Sequence, residues 1–150
     1  AKELISTIRS KDNDSIIIVG TPTWSQDVDI VSKTPIENET NIVYALHFYA
    51  ATHKQYLRDK LKIALDNNLP ILVSEFGICD ASGNGNIDKN EANTWINYLK
   101  ENNIGYVCWN LSNKNESSSI LKSSTQKISN WTDEELSEEG IWLKETYKKK

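Results

Sequence analysis

The run "PILVSEFG" ends on a carboxylate, Glu75, and the residues that end its neighbouring apolar runs are of kinds that would serve it. His47 and Tyr49 lie two apart in "NIVYALHFYA", so an extended chain turns both to one side. Trp109 and Asn110 close "IGYVCWNLS", and Trp24 follows "SIIIVG" in "GTPTWSQD". A carboxylate at a buried strand end needs donors, and a neighbouring His and Tyr can supply them and keep it ionised, the state a nucleophile requires. Tryptophan faces suit the C–H faces of a pyranose ring, while Asn and Lys reach hydroxyls. Carboxylate, Trp and Asn together suggest carbohydrate chemistry, with cleavage of a glycosidic bond the leading reaction. Taken singly, His47 is equally a hydrogen-bonded core histidine and Trp109 equally a packing residue.

The same stretch continues into a second chemistry. Asp80, Ser82, Asn84, Gly85, Asn86, Ile87, Asp88 and Glu91 fall at the positions of an EF-hand calcium loop, including the turn glycine and the closing glutamate. Such a loop is entered from a helix and is usually paired with another, whereas here a Pro-led, β-rich run precedes it and no second loop occurs. Asp88 and Glu91 serve equally as the cap of a following helix. A calcium-binding module through Asp80–Glu91 is therefore an alternative that ranks behind Glu75. The leading reading needs no cofactor and no metal.

The elements that must position these residues alternate regularly. Strands are expected at Ser15–Gly20, Asn41–Ala50, Pro70–Gly77 and Ile104–Ser112, where β-branched and aromatic residues cluster. Between the second and third, "QYLRDKLKIALDNN" places Leu57, Leu61, Ala64 and Leu65 on one helical face. Between the third and fourth, Ala92, Trp95, Ile96 and Leu99 do the same behind the Asp88/Glu91 cap. "KELISTIRS" predicts a first helix, and "SEEGIWLKETYKK" a last one preceded by a Thr132/Glu135 capping box. The segment before Pro35 has room for only a short helix. Near-continuous apolar strands separated by helices describe parallel strands buried on both faces and joined by right-handed crossovers. The class is α/β, and the polar strand ends all open on one face, where such folds place their sites. Four units suit a small open sheet, or half of the eight that a closed barrel needs.

Composition narrows the partners. The chain has 150 residues, the length of one domain spanning 1–150, with a net charge of −4. Its positive charge is scattered apart from the closing "YKKK", which gives no basic face for nucleic acid. No apolar run approaches the roughly 20 residues of a membrane span, and "AKELISTIRS" lacks the apolar core of an export signal. Cys79 and Cys108 lack metal-ligand spacing and read as small buried hydrophobes. Met is absent, as in an internal fragment.

"HFYAATHK", "VSEFGICDASGNG" and "CWNLSNKNESS" resemble the later half of the catalytic domain of glycoside hydrolase family 5, in particular bacterial endo-β-1,4-glucanases. The resemblance runs from Ile16 to Glu116. It implies four consecutive βα units, strands five to eight of a (β/α)8 TIM barrel. Glu75, ending the seventh strand, would be the catalytic nucleophile, with His47 and Tyr49 of the sixth hydrogen-bonding it and the sugar. Trp109 would be the platform at the cleavage subsite, beside Asn110, with Lys114 and Glu116 contacting sugar hydroxyls beyond it. Trp24, after the fifth strand, would stack on the leaving-group side. The family uses a second carboxylate, an Asn-Glu pair ending the fourth strand, as acid/base. The chain begins after that strand; Asn38-Glu39 precedes a strand and Asn115-Glu116 lies in a loop, so neither replaces it.

These residues are therefore expected to be inactive alone, to bind β-1,4-glucan, and to need the N-terminal half-barrel or to self-associate as a homodimer or higher oligomer through their edge strands. A non-catalytic β-glucan-binding or scaffold half-barrel is the competing expectation. Action on a polymer implies an extracellular protein, with any signal outside this chain.

Overall fold

The computed structural model describes residues 1–148. Four parallel strands form one sheet in chain order: β1 (Ile17–Val19), β2 (Ile42–Tyr49), β3 (Ile71–Gly77) and β4 (Tyr106–Cys108). β1 and β2 run parallel in the register Ile17↔Ile42 and Val19↔Tyr44. Between and around them come α1 (Lys2–Arg9), the one-turn α2 (Pro22–Ser25) and α3 (Val28–Val31), α4 (Gln55–Asp66), α5 (Lys89–Glu101) and α6 (Glu138–Lys148). No helix among the described residues is long and apolar enough to cross a membrane.

Where the expected strands are shortened, backbone groups have gone elsewhere. β4 stops at Cys108 because Asn110 leaves the ladder: its N–H bonds Ser118 O at 2.8 Å, and its carbonyl receives Ile120 N–H at 3.1 Å. The short helix expected before Pro35 is two single turns. The first, α2, is left-handed at Thr23, Trp24 and Ser25 (φ 54°, 51° and 61°), a backbone region that non-glycine residues visit at a cost.

The chain groups into two compact units, the first made of Ala1–His47 with Gln55–Ser74, the second of Phe48–Lys54 with the chain from Glu75 onward. The core of the first holds Ile5, Val28, Leu46, Leu57, Leu61 and Val73, all essentially inaccessible. α4 contributes Leu57, Leu61 and Ala64, as its spacing requires, while Leu65 is only half-buried. Lys60 reaches Asp27 at 2.6 Å, tying α4 to the turn ahead of α3.

The second unit is built on aromatic rings. Phe48 stacks on Trp95 (centroids 4.1 Å apart) and on Phe76 (5.3 Å), and Phe76 meets the edge of Trp142. α5 buries Ala92, Trp95, Ile96 and Leu99, the face its period marks. Asp88 caps it: Oδ1 accepts Glu91 N–H at 3.0 Å, and Oδ2 accepts Lys54 Nζ at 2.5 Å. Asp88→Ala is expected to lower the stability of the chain by about 1 kcal/mol, read as a shift in the urea midpoint at constant slope. An unchanged midpoint would show that the cap is idle.

α6 corrects one expectation. Thr132 and Glu135 do meet, with Thr132 N–H donating to Glu135 Oε2 at 2.9 Å, but in a turn upstream of the helix. The chain then bridges Leu121 to Leu136, and the helix is capped by Ser137, whose Oγ accepts Gly140 N–H at 3.0 Å. A Cβ on Gly140 would lie 2.2 Å from Ile120 O, so this first turn sits directly on that carbonyl. The expected last residue of the helix, Lys149, lies outside the described residues.

Candidate active site

Between two matched backbone bonds, the β3 chain carries one more residue than the β2 chain. Tyr44 N–H bonds Pro70 O and Ala50 N–H bonds Gly77 O, so six steps along β2 correspond to seven along β3. The extra residue falls where consecutive side chains meet alternate positions of β2: Ser74 Oγ lies 2.8 Å from His47 Nε2, and Glu75 Oε1 receives Tyr49 O–H at 2.8 Å. Strict alternation would have sent Ser74 and Glu75 to opposite faces. A bulge of this kind re-aims a side chain beside a site.

Tyr49 is held from three directions. Its backbone N–H donates to Nδ1 of the buried His53 at 2.8 Å. Its ring lies against Gly77, where a Cβ would stand 2.7 Å from the ring carbons. Burial, and after it the bond to Glu75, pushes the phenol pKa well above its ordinary value of 10.0. The hydroxyl therefore stays protonated and remains a donor, holding Glu75 in a fixed orientation. Burial lowers the pKa of His53, which favours the neutral ring whose Nδ1 accepts the Tyr49 N–H.

Trp109 stands level with the residue after Glu75, its N–H donating to Phe76 O at 2.8 Å, and its side is 46% exposed. The Trp109–Asn110 peptide is cis. Asn110 buries an Nδ2 that has no partner among the described residues, a donor suited to a hydroxyl. Further along, Lys114 Nζ lies 3.8 Å from Glu116 Oε1, which also accepts Ser118 Oγ at 3.3 Å. Lys114 and Glu116 line a cavity of about 520 Å³ with Asn84, Ile87, Leu121 and Lys122. In the first unit, Trp24 is 84% exposed on its left-handed turn.

The loop from Asp80 to Glu91 is hydrogen-bonded as a strand-to-helix connection. Asp80 Oδ2 accepts Asn86 N–H at 2.8 Å, and Gly83 and Gly85 take φ values of 80° and 102°. A Cβ on Gly85 would lie 2.6 Å from Asp80 Oδ2, so the glycine serves this fold-back. Ser117 ties the loop down through Asn84 Oδ1 and Gly85 O. β3 precedes it where an EF-hand has a helix. Among the described residues no group of three or more His, Cys, Asp or Glu is arranged to hold a metal ion.

Two positions went unread in the sequence. His53 offered a signal, since it follows Tyr49 by four residues in "HFYAATHK", the spacing of one tight turn. Glu139 offered none: "SEEG" reads as the solvated start of a helix, yet the side chain is fully buried. Its Oε1 accepts Cys108 Sγ–H and Ile78 N–H, each at 3.3 Å. Burial raises its pKa to about 7 against the opposing pull of those two bonds. Burial also pushes Cys79 up to about 12 and raises Cys108, so both thiols stay protonated and Cys108 remains a donor.

The family described as Cellulase (glycosyl hydrolase family 5) matches residues 1–115. An endoglucanase of Clostridium saccharobutylicum is 43% identical over 146 residues, covering 97% of this chain and 32% of its own length. Among solved structures, the cellulase Cel5C_n superposes with a TM-score of 0.94 at 41% identity, over 100% of this chain and 46% of that one. The catalytic domain of Thermobifida fusca endoglucanase Cel5A, in complex with cellotetraose, gives 0.89 at 31% identity, over 99% and 50%. The chain thus spans about a third of that curated relative and about half of each solved one. Four parallel βα units over half the length of a TIM-barrel cellulase correspond to half of that barrel. The chain belongs to glycosyl hydrolase family 5, the cellulases.

Proposed function

We propose that this chain supplies the nucleophile side of a retaining endo-β-1,4-glucanase site. The observation that carries the reading is the 2.8 Å bond from Tyr49 O–H to Glu75 on a bulged strand end. In the first step a Glu75 oxygen forms a bond to the anomeric carbon as the glycosidic C–O bond breaks, and the leaving oxygen takes a proton from a second carboxylic acid. In the second step, that carboxylate removes a proton from water, which displaces Glu75 and restores the configuration. Tyr49 orients Glu75 throughout. The resemblance gives His47 a share in holding the carboxylate and sugar, Trp109 the cleavage-subsite platform, and Trp24 the leaving-group side. Asn110, Lys114 and Glu116 meet sugar hydroxyls. The relatives named as endoglucanases and the cellotetraose complex support β-1,4-glucan as the ligand, and a polymer substrate supports action outside the cell.

The second carboxylate comes from a complementary N-terminal half-barrel. Self-association does not replace it: a two-fold closed barrel would set a partner copy's last strand, ending in Trp and Asn, beside Glu75. The 150 residues alone are expected to hydrolyse carboxymethylcellulose about 10²–10⁴-fold or more slowly than the same chain co-expressed with the N-terminal half of a family 5 endoglucanase. Turnover by the chain alone at the rate of the completed barrel would overturn this reading. The exposed Trp24 and Trp109 also fit a module that binds glucan without cutting it. A completed barrel that binds cellohexaose and leaves it intact would establish that second reading.

A further inference from the structure

The proposed reaction requires the carboxylate near the end of β3 and the tryptophan that follows β4 to keep a fixed spacing, yet both strands run into loops there. The backbone bond from Trp109 N–H to Phe76 O is one link between them. The second runs through Glu139. Its Oε1 reaches Ile78 N–H, three residues past Glu75, and Cys108 Sγ, one residue before Trp109. We propose that Glu139 is a positioning residue for the reaction, a buried carboxyl on the first turn of α6 that binds the nucleophile-bearing and platform-bearing strand ends into one piece. This inference rests on the reading of Glu75 and Trp109 given above.

The cost of the arrangement marks it as more than packing. A carboxyl with no exposure whose second oxygen, Oε2, has no partner among the described residues is expensive to keep, and an apolar side chain would fill the same volume without that penalty. What it gains is two directed bonds to two different strand ends. The turn that carries it is itself anchored, by the Ser137 cap and the seat of Gly140 on Ile120 O. Among the described residues, these titratable groups face Glu139. Cys108 approaches from β4, Cys79 from the loop after β3 with Asp80 beside it, and Tyr49 of β2 feels the Glu139 charge as well as that of Glu75. Glu116 acts on Cys79 from the loop after β4. The adjoining Glu138 points to Lys89 at 2.9 Å, and on the α5 side the nearby contact is the neutral pair of Asn93 and Trp142. No cation stands among these groups, so proton uptake by Glu139 is the way its charge is removed.

The test uses the 150-residue chain labelled with 5-fluorotryptophan, the Trp109 resonance being assigned by Trp109→Phe. In the parent chain that ¹⁹F signal is expected to shift with pH, with a midpoint near the 7 set by Glu139. Glu139→Gln keeps the shape and an acceptor oxygen, and it should hold Ile78 amide exchange at the parent rate while abolishing the ¹⁹F titration. Glu139→Ala should speed Ile78 exchange by at least about 10-fold. Cys108→Ala is expected to move the Trp109 resonance and leave Ile78 protected. A Trp109 titration that persists unchanged in Glu139→Gln, or an Ile78 amide equally protected in Glu139→Ala, overturns the proposal. Should Glu139→Ala fail to fold, the Glu139→Gln and Cys108→Ala arms decide alone. None of these signals involves sugar, so their failure speaks against Glu139 and leaves Glu75 untouched.

Discussion

Glu75→Gln, introduced into the barrel completed with an N-terminal half, is expected to lower hydrolysis of carboxymethylcellulose by at least about 10⁴-fold. The amide has the same shape and keeps an oxygen that can accept the Tyr49 hydroxyl, now 2.8 Å from Glu75 Oε1, so the fold and the site's geometry should survive. What disappears is the carboxylate oxygen proposed to form the covalent bond. The loss should fall on kcat, with KM for a soluble cello-oligosaccharide little changed, because the proposed sugar contacts, Trp109 among them, remain. Tyr49→Phe separates orientation from attack: it removes only the donor, and its smaller loss should again appear in kcat. A Glu75→Gln enzyme within 10-fold of the parent rate would place the chemistry on another residue.

Trp95→Ala carries the largest expected effect on stability, about 3–5 kcal/mol by urea unfolding. Trp95 is wholly buried, stacks on Phe48 at 4.1 Å and donates its Nε1–H to His53 O at 2.8 Å. Truncation opens a cavity under Phe48 and leaves the His53 carbonyl without its donor. The damage should reach the site, since Phe48 precedes Tyr49 in β2 and His53 holds the Tyr49 N–H. Trp95→Phe restores the ring stack without the hydrogen bond and should recover most of the loss. A cost below about 1 kcal/mol for the alanine variant would mean that the stack is not the centre of this unit.

The parts of this fold with a period were legible from residue order. α5 buries Ala92, Trp95, Ile96 and Leu99 because a helix has one apolar face, and Asp88 caps it because its side chain can satisfy a first-turn N–H. The strand ends carrying Tyr49, Glu75 and Trp109 were legible because a parallel α/β sheet presents those ends together. What escaped notice has no period. The extra residue of β3 is a property of two strands in register, visible only when Pro70 and Gly77 are matched to Tyr44 and Ala50. The left-handed turn at Trp24 breaks local preference, so no propensity announces it. Thr132 and Glu135 meet in a turn of their own, and a bridge from Leu121 to Leu136 separates that turn from the helix, which Ser137 caps instead. Glu139 was invisible because burial of an acid is decided by tertiary packing around a residue type that is ordinarily solvated.

Covalent trapping tests Glu75 as the proposed nucleophile most directly. A dinitrophenyl 2-fluoro-cellobioside carries a leaving group that departs without a proton, so the first step does not depend on the acid/base carboxylate, while the fluorine slows release of the glycosyl-enzyme. Incubated with the completed barrel, digested and sequenced by mass spectrometry, the protein is expected to carry one 2-fluoro-cellobiosyl group, on Glu75. A label on Glu39 or Glu116, or an unlabelled Glu75 in a barrel that still cleaves cellulose, would contradict it.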